Sequence, residues 1–221
     1  TVSARRIDNR AGEIASPGQV TLDVAEQLDN RGGKAIGDSG LRLAAPRVLN
    51  QDGGVLASRD GLRLNGAELF NGNGGLLSSQ QSIDVILDGV LGNQAGSLSS
   101  QRRLSVKSGR LDNQGGAVSS AGTLSLSSQG ALNNQGGRVV TDAGAVLRSA
   151  SLDNSQGGIV SAKGAAEIRT GSLNNSQKGG IGSGAGLALV ADVVDNSQNG
   201  RITAKGAIDA NLKGLDQQGS G

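Results

Sequence analysis

Asparagine recurs along this chain at intervals of 20 to 22 residues. An aliphatic residue stands two positions before each of these asparagines, so the repeat involves more than one residue type. A fixed period near 21 predicts a solenoid, in which one structural unit stacks on copies of itself. The repeated positions are Asn9, Asn30, Asn50, Asn71, Asn93, Asn113, Asn134, Asn154, Asn175 and Asn196, with Gln217 in the eleventh place.

Residues 111–132 show the plan of one repeat. Two segments, Ala117–Ser120 and Thr123–Ser127, alternate apolar and polar residues, and a third short segment carries Leu111 before Asn113. Alternation with period two is typical of a β-strand, whose successive side chains point to opposite faces. Glycine-containing segments separate the three parts and indicate corners. Each repeat therefore predicts three short strands in a roughly triangular coil.

The repeats also predict how the strands pair. Because the chain advances by one coil per turn, equivalent strands of successive coils run parallel, and the crossover rule favours right-handed winding. We expect an all-β fold: a right-handed parallel β-helix with three strands per coil and about ten coils of 20–22 residues. We expect one β-helical repeat domain over 1–221, an internal fragment of a longer protein, because Thr1 begins within the pattern.

Two strands of each coil supply aliphatic side chains to the predicted core. In the second strand these are pairs such as Leu124 and Leu126, ending at Ile208 and Ala210 in the last coil. The first strand supplies one inward residue per coil, with a one-residue ambiguity at 35/36, 55/56 and 139/140. These inward residues are Ile14, Ile36, Leu56, Leu77, Leu98, Val118, Val140, Val160, Ile181 and Ile202.

We interpret the asparagine column as a structural ladder. Each asparagine follows an inward aliphatic residue by two positions, so its amide points inward at a corner, where it must be hydrogen-bonded. Identical amides at strand spacing can donate and accept along the column. Asparagine also tolerates left-handed backbone geometry, which we expect at this corner. Glycine pairs that permit unusual dihedral angles follow at 32–33, 53–54, 74–75, 115–116, 136–137, 157–158 and 179–180.

Composition excludes several classes of function. The chain has one aromatic residue, Phe70, and no His, Cys, Met, Trp or Tyr. Zinc and haem ligation by His or Cys, thiol catalysis and an imidazole base are therefore excluded. The densest basic stretch, Arg102 to Arg110, lacks interleaved aromatic residues, so we expect no nucleic-acid partner. No run of 18 apolar residues exists, and we expect no transmembrane helix.

Carboxylates are the remaining candidates for chemistry. Catalysis by an acid pair needs carboxylates at set separations, usually in a cleft built by long loops, and the nearly constant repeat length leaves no room for such loops. We therefore expect no enzyme and no catalytic, cofactor-binding or metal site. The carboxylates considered for catalysis are Asp23, Asp84, Asp88, Asp142, Asp192 and Asp209.

Calcium binding is an alternative role for a second set of acidic residues. Carboxylates that immediately precede the asparagine column point outward, and oxygen ligands suit calcium. The calcium-binding nonapeptide repeat is absent, however, so solvated surface acids are the favoured interpretation. These residues are Asp8, Asp29, Asp112, Asp153, Asp195 and Asp216. Phe70 should also point outward and is our candidate surface contact for a partner chain.

The phrases Leu152-Asp153-Asn154-Ser155-Gln156-Gly157-Gly158 and Leu173-Asn174-Asn175-Ser176 resemble the repeats of filamentous haemagglutinins and related contact-dependent growth inhibition effectors. These are exoproteins of the two-partner secretion class in Gram-negative bacteria. The resemblance covers residues 7–217. It implies a parallel β-helix, export through an outer-membrane transporter as partner, and display as a filament on the cell surface, anchored at the outer membrane through parts outside this chain.

The resemblance implies two functions. In the first, the chain is a structural shaft that extends an adhesive or toxin-delivering element away from the cell, as family members do in adhesion, virulence and biofilm cohesion. In the second, the segment is itself an adhesin surface that binds glycans or receptor proteins of a host or neighbouring cell. No Arg-Gly-Asp tripeptide or toxin motif occurs in the chain.

Overall fold

The computed structural model describes residues 1–219 and confirms the predicted fold class. These residues form 24 parallel-paired β-strands, numbered in chain order, and contain no helix. The strands stack as a β-solenoid of about 10 turns with three strand segments per coil. The predicted single domain includes Ser220 and Gly221, which lie outside the described residues. No helix in residues 1–219 is long and apolar enough to cross a membrane.

The first strand of every coil belongs to a ten-stranded sheet. Each of these strands has four residues and pairs in parallel with the equivalent strands of the coils before and after. The strands are β2 (Glu13–Ser16), β4 (Lys34–Gly37), β6 (Val55–Ser58), β8 (Leu76–Ser79), β11 (Ser97–Ser100), β14 (Ala117–Ser120), β17 (Arg138–Thr141), β19 (Ile159–Ala162), β21 (Gly180–Ser183) and β23 (Arg201–Ala204).

The second and third segments of each coil belong to a 14-stranded sheet. In most coils they join into one long strand, and they separate where Gly89, Gly109 and Gly130 stand at the corner between them. The strands are β1 (Val2–Asp8), β3 (Val20–Asp29), β5 (Leu41–Leu49), β7 (Leu62–Phe70), β9 (Ile83–Leu87), β10 (Val90–Gly92), β12 (Leu104–Ser108), β13 (Arg110–Asp112), β15 (Leu124–Ser128), β16 (Ala131–Asn133), β18 (Ala145–Asp153), β20 (Ala166–Asn174), β22 (Leu187–Asp195) and β24 (Ile208–Asp216).

Register places chemically equivalent residues on top of one another. Leu104 pairs with Ile83 and Leu124, and Leu111 pairs with Leu91 and Leu132, so the aliphatic side chains form continuous columns inside the coil. Nearly all of these side chains are fully buried in a single core that runs along the solenoid. Burial of apolar surface between successive coils is the main favourable contribution, because one coil alone is only a few side chains across.

The prediction that Ile36 and Val140 point into the core is wrong. Ala35 and Val139 are buried, whereas Ile36 and Val140 are half-buried on the outside of the ten-stranded sheet. The cause is the length of the preceding corner, since three residues separate Asn30 from its strand and four separate Asn50 from the next. A shift of one residue moves every side chain of a strand to the opposite face.

The last coil is open on one side in the described residues. Ile208 and Leu215, which both occupy predicted inward columns, are 48% and 51% exposed, because no further coil in residues 1–219 covers them. The equivalent residues of the coil before, Leu187 and Val194, are 2% and 0% exposed. Burial in this fold therefore comes from the next coil rather than from the residue's own coil.

We predict that the same substitution has very different effects at an inward position that the next coil covers and at one that no described coil covers. Leu126→Ala removes a side chain with no exposed surface and should lower the free energy of unfolding by about 2–5 kcal/mol. Leu215→Ala at the open coil is the control and should cost less than about 1 kcal/mol. Urea unfolding followed by circular dichroism measures both, and equal losses would contradict this account of the core.

Candidate functional site: the asparagine ladder

The ten asparagine side chains lie in one column at the corner between the third and first strands of successive coils. Asn9 is 7% exposed and Asn196 is 3% exposed, and the eight between them have no exposed surface. The backbone also holds the column, because the N–H of each asparagine donates to a carbonyl oxygen of the following coil, as Asn113 does to Asn133 at 2.7 Å. The amides are thus buried polar groups that must find partners inside the solenoid.

Hydrogen bonds connect the whole column in one direction. Each Nδ2 donates to the Oδ1 of the next asparagine toward the C-terminus at 2.6 or 2.7 Å, from Asn9 to Asn196. Asn196 Nδ2 then donates to Gln217 Oε1 at 3.2 Å. Gln217 therefore takes the eleventh position of the column with a longer bond.

The second hydrogen of each amide goes to the backbone. Asn113 Nδ2 lies 3.2 Å from the carbonyl oxygen of Gly116 in its own corner and 3.3 Å from that of Arg138 in the next coil. Because an amide carries two donor hydrogens, the shorter 2.7 Å bond to Asn134 uses one of them. The two carbonyl oxygens share the other hydrogen. Each asparagine from Asn9 to Asn175 thus joins its own corner to the next coil twice.

The corner after each asparagine has two lengths, and the backbone differs between them. Three-residue corners contain one residue with positive φ, such as Gly115 at 61°. Four-residue corners contain two in succession, such as Gln156 at 56° and Gly157 at 75°. The extra residue is accommodated by a second left-handed turn, so the next strand begins in register in both cases.

Our expectation for the asparagines themselves is wrong on this point. None of the ladder asparagines has a positive φ; the left-handed geometry begins two residues later. The predicted role of the glycine pairs also changes, because only the first glycine of a pair has positive φ. At 179–180 neither glycine has positive φ, and Gln177 and Lys178 carry the left-handed geometry, at 52° and 67°. The asparagine is therefore present for its amide, not for its backbone conformation.

Sequence reasoning missed a second repeated residue, the glycine that ends every corner. A Cβ at Gly116 would lie 2.1 Å from the carbonyl oxygen of Asn93 in the preceding coil. From Gly33 to Gly200 this separation is 1.9–2.4 Å, far below a normal contact. The available signal was a glycine directly before every first strand: Gly12, Gly33, Gly54, Gly75, Gly96, Gly116, Gly137, Gly158, Gly179 and Gly200.

The aspartates that precede the column cap the same corner. Asp112 Oδ1 accepts from the backbone N–H of Gln114 at 3.2 Å, and Asp153, Asp195 and Asp216 do the same two residues ahead. Asn133 lies between Asp112 and Asp153, and its Nδ2 donates to Asp112 Oδ1 at 3.0 Å. In residues 1–219 no group of three or more acidic, His or Cys side chains could hold a metal ion.

At the N-terminal end of the asparagine ladder, the aspartates that precede the first two asparagines form ion pairs with arginines. Asp8 receives a bidentate ion pair from Arg10, with bonds of 2.9 and 2.6 Å, and Asp29 receives the same from Arg31. The hydrogen bonds from Arg10 lower the pKa of Asp8 to about 2, and Arg31 lowers the pKa of Asp29. Because these pKa values are depressed, the attraction is present at neutral pH and is lost only as pH falls through the folded-state values.

Phe70 is placed on the same outer column as these aspartates. Its ring is half-buried, the guanidinium of Arg47 lies 5.2 Å from the ring centroid, and Gly92 is its partner in the next coil. Because Gly92 has no side chain, the ring fills space beside the next coil, and the cation over its face adds attraction. Its role as a contact for a partner chain stays a prediction.

The other candidate charges are dispersed in ion pairs across the surface. Arg103 of the basic stretch pairs with Asp84 at 2.7 Å, and Asp142 and Asp192 pair with lysines of the following coil. A shallow groove of ≈ 700 Å³ runs along the corner between first and second strands near the C-terminal end. Small residues such as Gly144, Ala165 and Gly186 line it. The carboxylates considered for catalysis are therefore not brought together.

A sequence model of the haemagglutinin repeat family matches residues 1–32, 18–93, 84–136 and 136–211. The chain belongs to the haemagglutinin repeat family. This confirms the resemblance stated from the repeats, and the family implies a secreted or cell-surface protein. Its members are structural repeats that are typically non-enzymatic. Searches of curated proteins and of solved structures found no match to this haemagglutinin repeat chain.

We predict that two adjacent glycines of one haemagglutinin repeat differ sharply in how well they tolerate substitution by alanine. Gly116→Ala forces the backbones of two coils apart and should lower the free energy of unfolding by about 3 kcal/mol. Gly115→Ala is the matched control. It meets nothing within 4 Å at a φ of 61°, and Ala95 already occupies the equivalent position at 53°. Its expected cost is about 1 kcal/mol, and a reversed order in urea unfolding would contradict the assignment.

Proposed function

We propose that this chain is a shaft segment of a secreted, cell-surface exoprotein of the filamentous haemagglutinin type. In this role it extends an adhesive or toxin-delivering element away from the cell. The observation that carries the proposal is the unbroken ladder from Asn9 to Asn196, in which every coil is bonded to the next at the same corner. A stack with one coil per repeat converts chain length into distance, at about 4.8 Å per coil.

The surface supports a mechanical role. Coils differ in length by at most two residues, from 20 to 22, so no loop long enough to build a cleft leaves the solenoid. Backbone hydrogen bonds, the amide ladder and the aliphatic core all connect neighbouring coils rather than distant parts of the chain. In such a solenoid each coil contacts only its neighbours, so the stack grows in one direction as coils are added.

Family membership supports the cellular context that we propose. Haemagglutinin repeat proteins are secreted or displayed on the cell surface. We propose export through an outer-membrane transporter of the two-partner secretion type, with anchoring at the outer membrane through other parts of the parent protein. Growth inhibition of neighbouring cells, virulence and biofilm cohesion are the biological settings in which such a shaft would act.

The shaft proposal predicts a linear relation between repeat number and length. Inserting four copies of the coil 113–133 after Asn133 should lengthen the molecule by about 19 Å, since each coil adds about 4.8 Å. Small-angle X-ray scattering measures the maximum dimension. A glycine–serine insert of the same residue number is the control: as a flexible coil it spans roughly 50 Å end to end, so it should give the profile of a flexible molecule, whereas the added coils should lengthen the rod at an unchanged cross-section. Equal scattering profiles for the two inserts would refute the proposal.

The alternative function is an adhesin surface on this segment. The groove near the C-terminal end is its best location, but most of its lining is glycine, alanine or aliphatic, and Phe70 lies outside it. The polar side chains that line it are Thr123, Ser125, Glu167 and Asp209. The shaft proposal therefore predicts that the isolated chain binds no ligand on a glycan array. Saturable binding of one glycan class, lost when Ala165 and Gly186 are changed to larger residues, would favour the adhesin.

A further inference from the structure

The outward side of the ten-stranded sheet is a flat strip that differs from the rest of the surface. We call it the outer face; it consists of the first and third residues of each strand, whose second and fourth residues point into the core. Only four of its residues are charged. From β2 to β23 the residues are Glu13, Ala15, Lys34, Ile36, Val55, Ala57, Leu76, Ser78, Ser97, Ser99, Ala117, Ser119, Arg138, Val140, Ile159, Ser161, Gly180, Gly182, Arg201 and Thr203.

The centre of this strip carries no charge at all. The outward residues of four successive strands, β6, β8, β11 and β14, are aliphatic or serine, and all of them are half-buried. The outward positions of the adjoining second strands carry more than twice as many charges as the outer face. These are Asp23, Arg42, Arg63, Asp84, Lys107, Arg148, Glu167, Arg169 and Asp209. Depletion of charge at the centre of a patch is typical of a protein–protein interface.

We propose that the outer face binds a second copy of this chain, with the two rods antiparallel. The two-fold axis then runs along the strand direction between β11 and β14, at the middle of the strip. Each strand faces the strand at the same distance from the other end, so that β2 of one copy lies opposite β23 of its partner. Such a contact uses the same patch on both copies, as two-fold interfaces do.

This arrangement pairs one acidic with one basic residue and brings no like charges together. Glu13 lies opposite Arg201, so an ion pair forms at each end of the dimer. Lys34 lies opposite Gly180 and Arg138 opposite Leu76, so neither of these two charges meets a like charge. If the two rods ran parallel, each charged residue would instead lie near the same residue of the partner chain, and like charges repel. The antiparallel arrangement is therefore favoured.

Large residues also meet small ones in the antiparallel arrangement. Ile36 lies opposite Gly182, and Val55 and Ile159 form an apolar pair on each side of the centre. At the middle, Ser99 lies opposite Ser119, which allows close approach of the two sheets. This interdigitation is how two flat sheet faces pack without leaving cavities.

The area of the strip is sufficient for a reversible dimer. Ten strands at about 4.8 Å and four residues at about 3.3 Å give a strip of about 48 by 13 Å. Pairing two such strips buries about 1,200 Å² in total, which is the lower end of the range for specific interfaces. We therefore expect a monomer–dimer equilibrium that depends on protein concentration rather than a permanent dimer.

Sedimentation velocity over a range of protein concentrations tests the dimer. Ser99→Lys with Ser119→Lys places like charges opposite each other and should raise the dimer Kd by about 100-fold or more. Ser105→Lys with Ser125→Lys is the matched control, because these serines are half-buried and outward on the second strands of the same coils. A wild-type chain that stays monomeric at every concentration overturns the proposal, as does equal weakening by both variants.

A charge swap and a cross-link test the direction of the two rods. Glu13→Arg alone should weaken the dimer, and Glu13→Arg combined with Arg201→Glu should restore it. Since the chain has no cysteine, Ala15→Cys and Thr203→Cys chains can be mixed and treated with a bismaleimide that spans the sheet separation of about 10 Å. Cross-links between unlike chains support the antiparallel dimer, and cross-links within each variant alone overturn it.

Discussion

Every buried asparagine amide in this solenoid depends on the coils on either side of it. An unsatisfied buried amide costs several kcal/mol in an apolar environment, so the column is stable only when each coil has the same length to within the corner's tolerance. That requirement explains why the coils vary only between 20 and 22 residues. The aliphatic columns follow from it, because a constant coil length also keeps leucine above leucine.

The corner after each asparagine keeps the ladder continuous although the repeats differ in length. One left-handed residue closes a three-residue corner, and two close a four-residue corner, while the final glycine allows the backbones of adjacent coils to approach. The ladder and the glycine are parts of one device, since the oxygen that excludes a Cβ at Gly116 belongs to Asn93, a member of the ladder. Part of the difference in repeat length is absorbed there. The rest is absorbed between the second and third strands, where β3 has one residue more than β5 between Asp23 and Gln27.

Much of the fold could be predicted from the sequence because its signals are repeated. The period places the asparagines, and alternation within 117–127 identifies strands and their inward faces. The orientation of individual side chains was harder to predict from the sequence. Ile36 was predicted inside with an ambiguity of one residue, and pairing with Ile14 and Leu56 fixes Ala35 in the core instead. The glycine requirement at Gly116 was not predictable from composition, since it arises from an oxygen in another coil.

The common direction of the amide bonds has an electrical consequence. Backbone N–H groups alternate between the coil before and the coil after, as in Asn113 to Asn133 and Arg138 to Gly116, so their dipoles largely cancel. The carboxamides all direct nitrogen toward the C-terminus, and their dipoles add, as peptide dipoles do in an α-helix. The amide column thus has a positive pole toward the C-terminal end of the rod and a negative pole toward the N-terminal end.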